Sequence, residues 1–241
     1  VVLLSVVIPA YNEEGRLGPS LDRILNFLKS MRIRHEVLVV DDGSSDGTVA
    51  LVRRMARGRQ KTLKLIRQGA NFGKGAAVKA GVEGALGSLI LFSDADLSTP
   101  IEELPRLMKK LEEGYTIAIG SRALERERIT RHQPFYRELG GRLFNLLAQL
   151  LTLPGIKDTQ CGFKLFEAKA AKRIFALQRV PRFGFDVEAL FLARKFRFRV
   201  CECPVAWENS PESKVRPVAD GLRTFLDLVL IRGYDWGGFY R

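Results

Sequence analysis

Five short apolar runs, spaced through the first 120 residues and separated by helix-length segments, constrain this chain more than any other feature. The runs are Leu3–Pro9 (LLSVVIP), Glu36–Val40 (EVLVV), Thr62–Ile66 (TLKLI), Ser88–Ser93 (SLILFS) and Tyr115–Gly120 (YTIAIG). Runs this short and this rich in aliphatic residues read as strands buried on both faces. Between them, segments such as LDRILNFL and TVALVRRM repeat apolar residues every three or four positions, the period of an amphipathic helix. Strand and helix in alternation predict an α/β fold: a mainly parallel sheet covered by helices on both faces.

Polar, glycine-rich segments follow four of the strands: PAYNEE, DDGSSDG, ANFGKG and SDADLS. In a parallel sheet they gather at the carboxyl edge of the strands, where open α/β sheets bind ligands in a crevice. After the fourth strand, Ser98–Gly114 reads as a helix. Ser98 or Thr99 is the expected cap, Pro100 suits the first turn, Glu102 and Glu103 favour the positive end, and Gly114 stops it.

Composition narrows the class. Hydrophobic residues make up 46% of the chain, ample for a core, and 39 Lys and Arg against 27 Asp and Glu give a net charge of +12. That excess points to an anionic partner. It does not point to nucleic acid, because the basic residues are scattered and no aromatic-interleaved platform or recognition motif accompanies them. Cys161, Cys201 and Cys203 are too few and too irregular for a disulfide framework or a zinc site, and a reducing compartment is expected. No run of about 18 apolar residues, the length that would span a bilayer, occurs in the sequence, and VVLLSVVIPA reads as a core strand rather than a signal peptide.

Two nucleotide motifs fail. NFGKGAA lacks the Ser or Thr of a P-loop after Lys74, and Gln68 stands where the earlier glycine belongs. GKGAAV ends on Val78 rather than on the Gly or Ala of a dinucleotide fingerprint, which argues against hydride transfer. Gly73, Lys74 and Gly75 at a helix start can still meet an anion. The fourth loop holds the sharper signal. Asp94 and Asp96 are one residue apart, and in extended chain they would point to the same side. Two such charges about 4 Å apart repel by roughly 4 kcal/mol at an effective dielectric near 20. A divalent cation relieves this by accepting carboxylate oxygens on one side and phosphate oxygens on the other, and all-oxygen ligation favours Mg²⁺ or Mn²⁺.

SVVIPAYNEE, VVDDGSSDGT, NFGKGAAVKAG, DADLS, GSR and DTQCGFKLF occur in an order that resembles the family 2 glycosyltransferases of the GT-A fold, in their polyprenyl-phosphate branch of dolichyl-phosphate glucosyl- and mannosyltransferases. The resemblance runs to about Lys214 and implies an α/β, Rossmann-like, mixed but mainly parallel sheet sandwiched by helices. It implies a nucleotide-sugar set of Pro9, Ala10, Tyr11, Asn12, Glu13, Asp41, Asp42, Asn71, Gly73, Lys74, Asp94, Ala95 and Asp96, with Asp94 and Asp96 holding the metal. Ser98 stands where some mannose synthases have Gln. Arg122 of GSR resembles a phosphate-binding Arg. Arg137 aligns with an Arg that meets the acceptor phosphate, although Gly141 replaces the family Ser four positions later. The implied halves are residues 1–120 for the nucleotide sugar and 121–241 for the acceptor and a membrane, within one domain.

The implied reaction is inverting transfer of a hexose to a polyprenyl phosphate. UDP-glucose is favoured over GDP-mannose because DTQCGFKLF, RFGFDVEALFLA and VAWENSPESKV match the glucosyl branch better. A lipid phosphate is already an anionic nucleophile; a soluble hydroxyl acceptor would need a general base, for which Asp158 and Asp186 are the candidates. Cys161 reads as a small buried hydrophobe, since neither His35 nor His132 accompanies it. Leu139, Leu143, Leu146, Leu147 and Leu150 form one stripe in Phe135–Leu151; by pattern alone it reads as a core helix packed on the sheet, and under the resemblance and the net charge of +12 it reads, with Arg128, Arg131, Arg137 and Arg142, as an interfacial helix at an anionic membrane surface. The terminal LRTFLDLVLIRGYDWGGFY is a further candidate for membrane or homodimer contact; its Trp and Tyr suit an interface and equally suit the closing of a core edge. A cytoplasmic protein held peripherally at the cytoplasmic face of a membrane is the resulting expectation.

Overall fold

The computed structural model describes residues 3–59, 61–125, 127, 129–131, 148, 149, 152–208 and 217–241. The five expected strands are β1 (Leu4–Ala10), β2 (His35–Asp41), β3 (Leu63–Arg67), β4 (Leu89–Ser93) and β5 (Ile117–Ser121). Later come β6 (Ile129–Arg131), β7 (Phe163–Glu167), β8 (Val200–Pro204) and β9 (Trp207–Glu208). Seven strands form one sheet in the order β3-β2-β1-β4-β7-β5-β8, and β6 pairs with β9 apart from it. All pairings in the large sheet are parallel except those of β7, which runs antiparallel between β4 and β5.

The helices are α1 (Leu17–Ser30), α2 (Thr48–Ala56), α3 (Lys74–Gly84), α4 (Leu104–Glu112), α5 (Ala168–Leu177), α6 (Phe185–Lys195) and α7 (Pro217–Trp236). They cover both faces of the sheet. On one side α1, α2 and α4 bury Leu21, Ile24, Val52 and Leu107 against Val6, Ile8, Val37 and Leu91. On the other, α3, α5 and α6 bury Val78, Ile174, Phe185 and Leu190 against Val7, Leu38, Ile90 and Phe92. Successive strand residues such as Val6 and Val7 serve opposite layers, which is why the strands read as unbroken apolar runs.

The helix expected over Ser98–Gly114 starts later. A 3-10 turn occupies Ile101–Glu103, Glu103 stands at the N-cap of α4, and Pro105 fills its first turn. The Ser98 N–H donates to Asp96 Oδ1 at 3.0 Å, so local geometry commits that residue to the preceding turn. Gly114, at φ +90°, ends the helix as expected. The leucine stripe of Phe135–Leu151, together with Arg137 and Gly141, lies outside the described residues but for 148 and 149. No helix among the described residues is long and apolar enough to cross a membrane.

At the amino edge of the sheet, Glu36 is fully buried. Its carboxylate accepts from Ser5 Oγ (2.7 Å), the Leu86 N–H (2.7 Å) and Lys64 Nζ (2.8 Å). Burial alone would raise its pKa, but Lys64, Ser5 and Leu86 together hold it below the ordinary carboxylate value. Its contribution to stability is therefore complete above the unfolded carboxyl pKa, about 4.3, and is lost as pH falls through the depressed folded value. Glu36→Ala should cost about 3 kcal/mol in urea unfolding at pH 7, because it strands Lys64 and the Leu86 N–H. Glu36→Gln should lack this component of the acid limb of the stability profile.

Candidate active site

The loops at the carboxyl edge are sewn to one another. Asn12, at φ +55°, donates its N–H to Ser44 Oγ at 2.9 Å, and its Oδ1 accepts the Ser45 N–H at 2.8 Å. The Glu13 N–H donates to Thr48 Oγ1 at 2.7 Å. The loop after β1 is thus fixed to the loop after β2. Asp42 binds the third loop: its carboxylate accepts the N–H groups of Phe72 (2.8 Å) and Gly73 (2.9 Å), while its own N–H donates to the Ala10 carbonyl (2.9 Å). Burial raises the Asp42 pKa, against the pull of those two N–H groups. Gly73 has φ +110°, and a Cβ there would come within 2.6 Å of the Pro181 carbonyl oxygen, so only glycine lets α3 begin at this point. Among the expected nucleotide contacts, Pro9 and Ala10 end β1, and Asp41 is buried at the end of β2 with Oδ1 on the Ser44 N–H. Tyr11 and Asn71 are exposed.

Asp94 and Asp96 do not sit in extended chain. The Leu97 N–H donates to the Asp94 carbonyl at 3.3 Å, closing a tight turn, and Ala95 is its buried second residue. Leu97 has φ +48°, a conformation that costs a branched residue about 1–3 kcal/mol and clusters at functional sites. Both acids nevertheless share one field. Burial and the charge of Asp94 raise the Asp96 pKa, against the pull of Ser98 and Arg16. Lys74 Nζ lies 2.7 Å from Asp94 Oδ1, and Arg16 Nη1 lies 3.7 Å from Asp96 Oδ2. Arg16 also donates to Glu13, its Nη2 lying 2.8 Å from Oε1. Burial works against a charged Lys74, but Asp94 and Asp186 outweigh it and raise its pKa.

Behind this pair lie two buried ion pairs. Arg122 grips Asp158 with Nε and Nη2, both at 2.7 Å, while its backbone N–H donates to the same carboxylate at 2.8 Å. Burial would raise the Asp158 pKa, but Arg122 holds it below the ordinary value. The guanidinium lies over the Trp207 ring at 5.5 Å and keeps 27% of its side-chain surface exposed. Lys164, on β7, bonds Asp186, on α6, and donates to the Cys161 carbonyl at 2.6 Å. Burial raises the Asp186 pKa, and Lys164 opposes it. Cys161 is buried and its thiol is pushed up to about 11 by burial and by Asp158, as suits a packing residue.

Residues 5–175, well over half of the chain, match Glycosyl transferase family 2. The chain belongs to this family. The human dolichyl-phosphate beta-glucosyltransferase is 40% identical over 243 residues, covering 95% of this chain and 74% of that one. The crystal structure of glucosyl-3-phosphoglycerate synthase from Mycobacterium tuberculosis with uridine diphosphate superposes with a TM-score of 0.70 at 18% identity, over 96% of this chain and 80% of that one. The mannosyltransferase PcManGT from Pyrobaculum calidifontis, solved with GDP-Man and Mn²⁺, gives 0.58 at 18% identity, over 96% and 69%. The fold is GT-A.

Three residues of this family 2 site have a part that the motifs alone did not assign. Phe72 is 53% exposed beside Asn71, so the crevice carries two solvent-facing aromatics, Phe72 and Tyr11, on loops joined through Ala10 and Asp42. Arg16 lies outside the loop motifs, just ahead of α1, and reaches Asp96 from there. Gly162 is the third. Its carbonyl accepts the Asp94 N–H at 3.0 Å, and a Cβ on it would fall inside the Asp94 carboxylate. Only its position in DTQCGFKLF marked it. Gly162→Ala should therefore turn Asp94 out of the crevice and lower kcat/KM about a hundredfold. Because only a side-chain tip must move, the thermal midpoint should change little; a calorimetric scan beside the assay checks both.

Proposed function

We propose that the chain transfers glucose from UDP-glucose, with inversion, to a dolichyl-type polyprenyl phosphate in the crevice above β1, β2, β3 and β4. The observation that carries this reading is the Asp94–Asp96 turn, two carboxylates at the carboxyl edge with Lys74 and Arg16 beside them. The choice of sugar and acceptor is supported by the name and 40% identity of the human relative. Under this reading residues 1–120 chiefly hold the donor, and the later half meets the acceptor and the cytoplasmic face of a membrane.

The acid pair fits a hard divalent cation. Its donors are all oxygen, and the raised Asp96 pKa means that added positive charge there is favourable. Among the described residues no group of three or more His, Cys, Asp or Glu could hold an ion by itself, so the donor diphosphate would complete the shell. Asp94 and Asp96 would hold Mg²⁺ or Mn²⁺, which supplies positive charge to the diphosphate as it departs. A fold neighbour solved with GDP-Man and Mn²⁺ supports the same choice.

The remaining chemistry falls to side chains. Lys74 and the N–H groups opening α3 offer positive charge to the diphosphate. Tyr11 and Phe72 offer faces to the base. A phosphate oxygen of the acceptor forms a bond to the anomeric carbon as the bond to the UDP oxygen breaks and its electron pair leaves with UDP. The nucleophile is anionic throughout, so no proton moves. That suits a site whose two deep carboxylates are both engaged, Asp158 by Arg122 and Asp186 by Lys164. Arg122, fixed by Asp158, is the phosphate contact we assign, with Arg137 as the second.

Radiolabelled UDP-glucose, Mg²⁺ and polyprenyl phosphate should yield a labelled, acid-labile lipid. Chelation should stop the reaction and Mn²⁺ or Mg²⁺ restore it. Asp94→Asn and Asp96→Asn should each lose about a thousandfold in kcat with the fold retained. Absence of any glucolipid, or full activity in either variant, would refute the assignment.

A further inference from the structure

Half of the large hydrophobic side chains that the described residues expose lie at the carboxyl end of the chain: Leu226, Val229, Leu230, Trp236 and Phe239, out of ten. Four of them share one arc of α7. The opposite arc, with Thr224, Leu228 and Ile231, is buried on the core. A helix apolar on both sides has a second apolar neighbour to meet.

Part of that neighbour's place is already shaped. Between α7 and the turn leading into α6 lies a groove of about 260 Å³, walled by Pro181 and Phe183 on one side and by Leu226 and Leu230 on the other. Asp227 of α7 packs against Gly184 at the end of this wall, where an added Cβ would come within 2.4 Å of its carboxylate. Arg182 and Arg223 also line it and supply cationic groups that balance Asp227.

The turn that walls this groove has its other side on the crevice. The Pro181 carbonyl accepts the Ala76 N–H at 2.9 Å, in the first turn of α3. Arg182 lies against Gly73 and exerts its charge on Asp42. Phe185 packs edge-on to Phe92 at 5.6 Å, one strand residue short of the loop that holds Asp94. One five-residue segment thus separates an apolar trough from the site of glycosyl transfer, with Arg182 between them.

We propose that this groove holds the first isoprene units of the acceptor, with its phosphate directed past Arg182 into the crevice and its remaining chain laid along the exposed arc of α7. The occupant is an isoprenoid rather than a protein because the trough is small, apolar and cationic at its rim, and opens beside a site that under the proposed function consumes a phosphate ester. The inference rests on the lipid-phosphate acceptor proposed above.

The test uses prenyl phosphates short enough to dissolve as monomers, assayed without detergent or vesicles, so that membrane docking makes no contribution. Leu226→Gln and Leu230→Gln, made singly and together, replace half-exposed side chains that the core does not use. The double variant should raise the KM of a ten-carbon prenyl phosphate about tenfold, with the UDP-glucose KM within about twofold of wild type. The same variant should handle a four-carbon alkyl phosphate as wild type does. An unchanged KM for the ten-carbon acceptor overturns the groove, and an equal loss for both acceptors does so too, because it marks a general disturbance. Loss of a concentration-dependent dimer with unchanged acceptor KM would give the surface to a second copy of the chain instead. Should wild type glucosylate no prenyl phosphate of any length, the acceptor reading itself falls; should it do so with the variants indistinguishable, only the groove does.

Discussion

Asp94 and Asp96 are negative charges held largely out of bulk water within one tight turn, and much of the surrounding architecture answers that constraint. Lys74 approaches one and Arg16 the other, from helices on opposite faces of the sheet. Gly162 offers no side chain where the Asp94 carboxylate must lie, and the strained backbone of Leu97 redirects the chain immediately afterwards. Each of these would be a poor choice for stability alone. Together they hold two carboxylates at one point of the sheet's carboxyl edge, where under the proposed function an anionic substrate would meet compensating positive charge.

The same logic continues inward. In the ion pairs of Arg122 with Asp158 and Lys164 with Asp186 both carboxylates and Lys164 are buried and Arg122 is partly buried, so losing one member would leave the other uncompensated. They make the floor of the crevice polar yet fixed. In the proposed transfer such a floor would need little reorganisation as charge shifts from the anomeric carbon to the departing diphosphate, the condition under which preset dipoles and charges are most effective.

The sheet's first half was legible because each of its strands is a compact apolar run and each crossover an amphipathic helix, so local pattern and global topology agree. The loops could be read for the same reason, being the polar remainder. The position of β7 was not legible. Its sequence, FKLFE, carries a lysine that is nearly fully buried, and only the distant Asp186 makes that burial tolerable. No periodicity announces a strand that enters from far along the chain and runs against its neighbours. The turn at Asp94 was misread as extended chain because its deciding bond joins Leu97 back to Asp94, and a leucine is an improbable residue for that backbone. At the carboxyl terminus, Tyr240 and Trp236 divided between two roles that their residue types left open: Tyr240 is buried on Glu188 at 2.5 Å, and Trp236 is 78% exposed.

The reversed strand has a consequence for how such a molecule is made. β5 touches the rest of the sheet only through β7, on one edge, and carries β8 on the other. As the polypeptide leaves the ribosome, the first four strands can associate in sequence order, but Ile117–Ser121 has no hydrogen-bonding partner until Phe163–Glu167 has been synthesised some forty residues later. During that interval β4 presents a bare apolar edge, the kind of surface that chaperones cover and that other nascent chains can join. The arrangement that delivers Gly162 to the acid pair also makes closure of the sheet a late event in the birth of the protein.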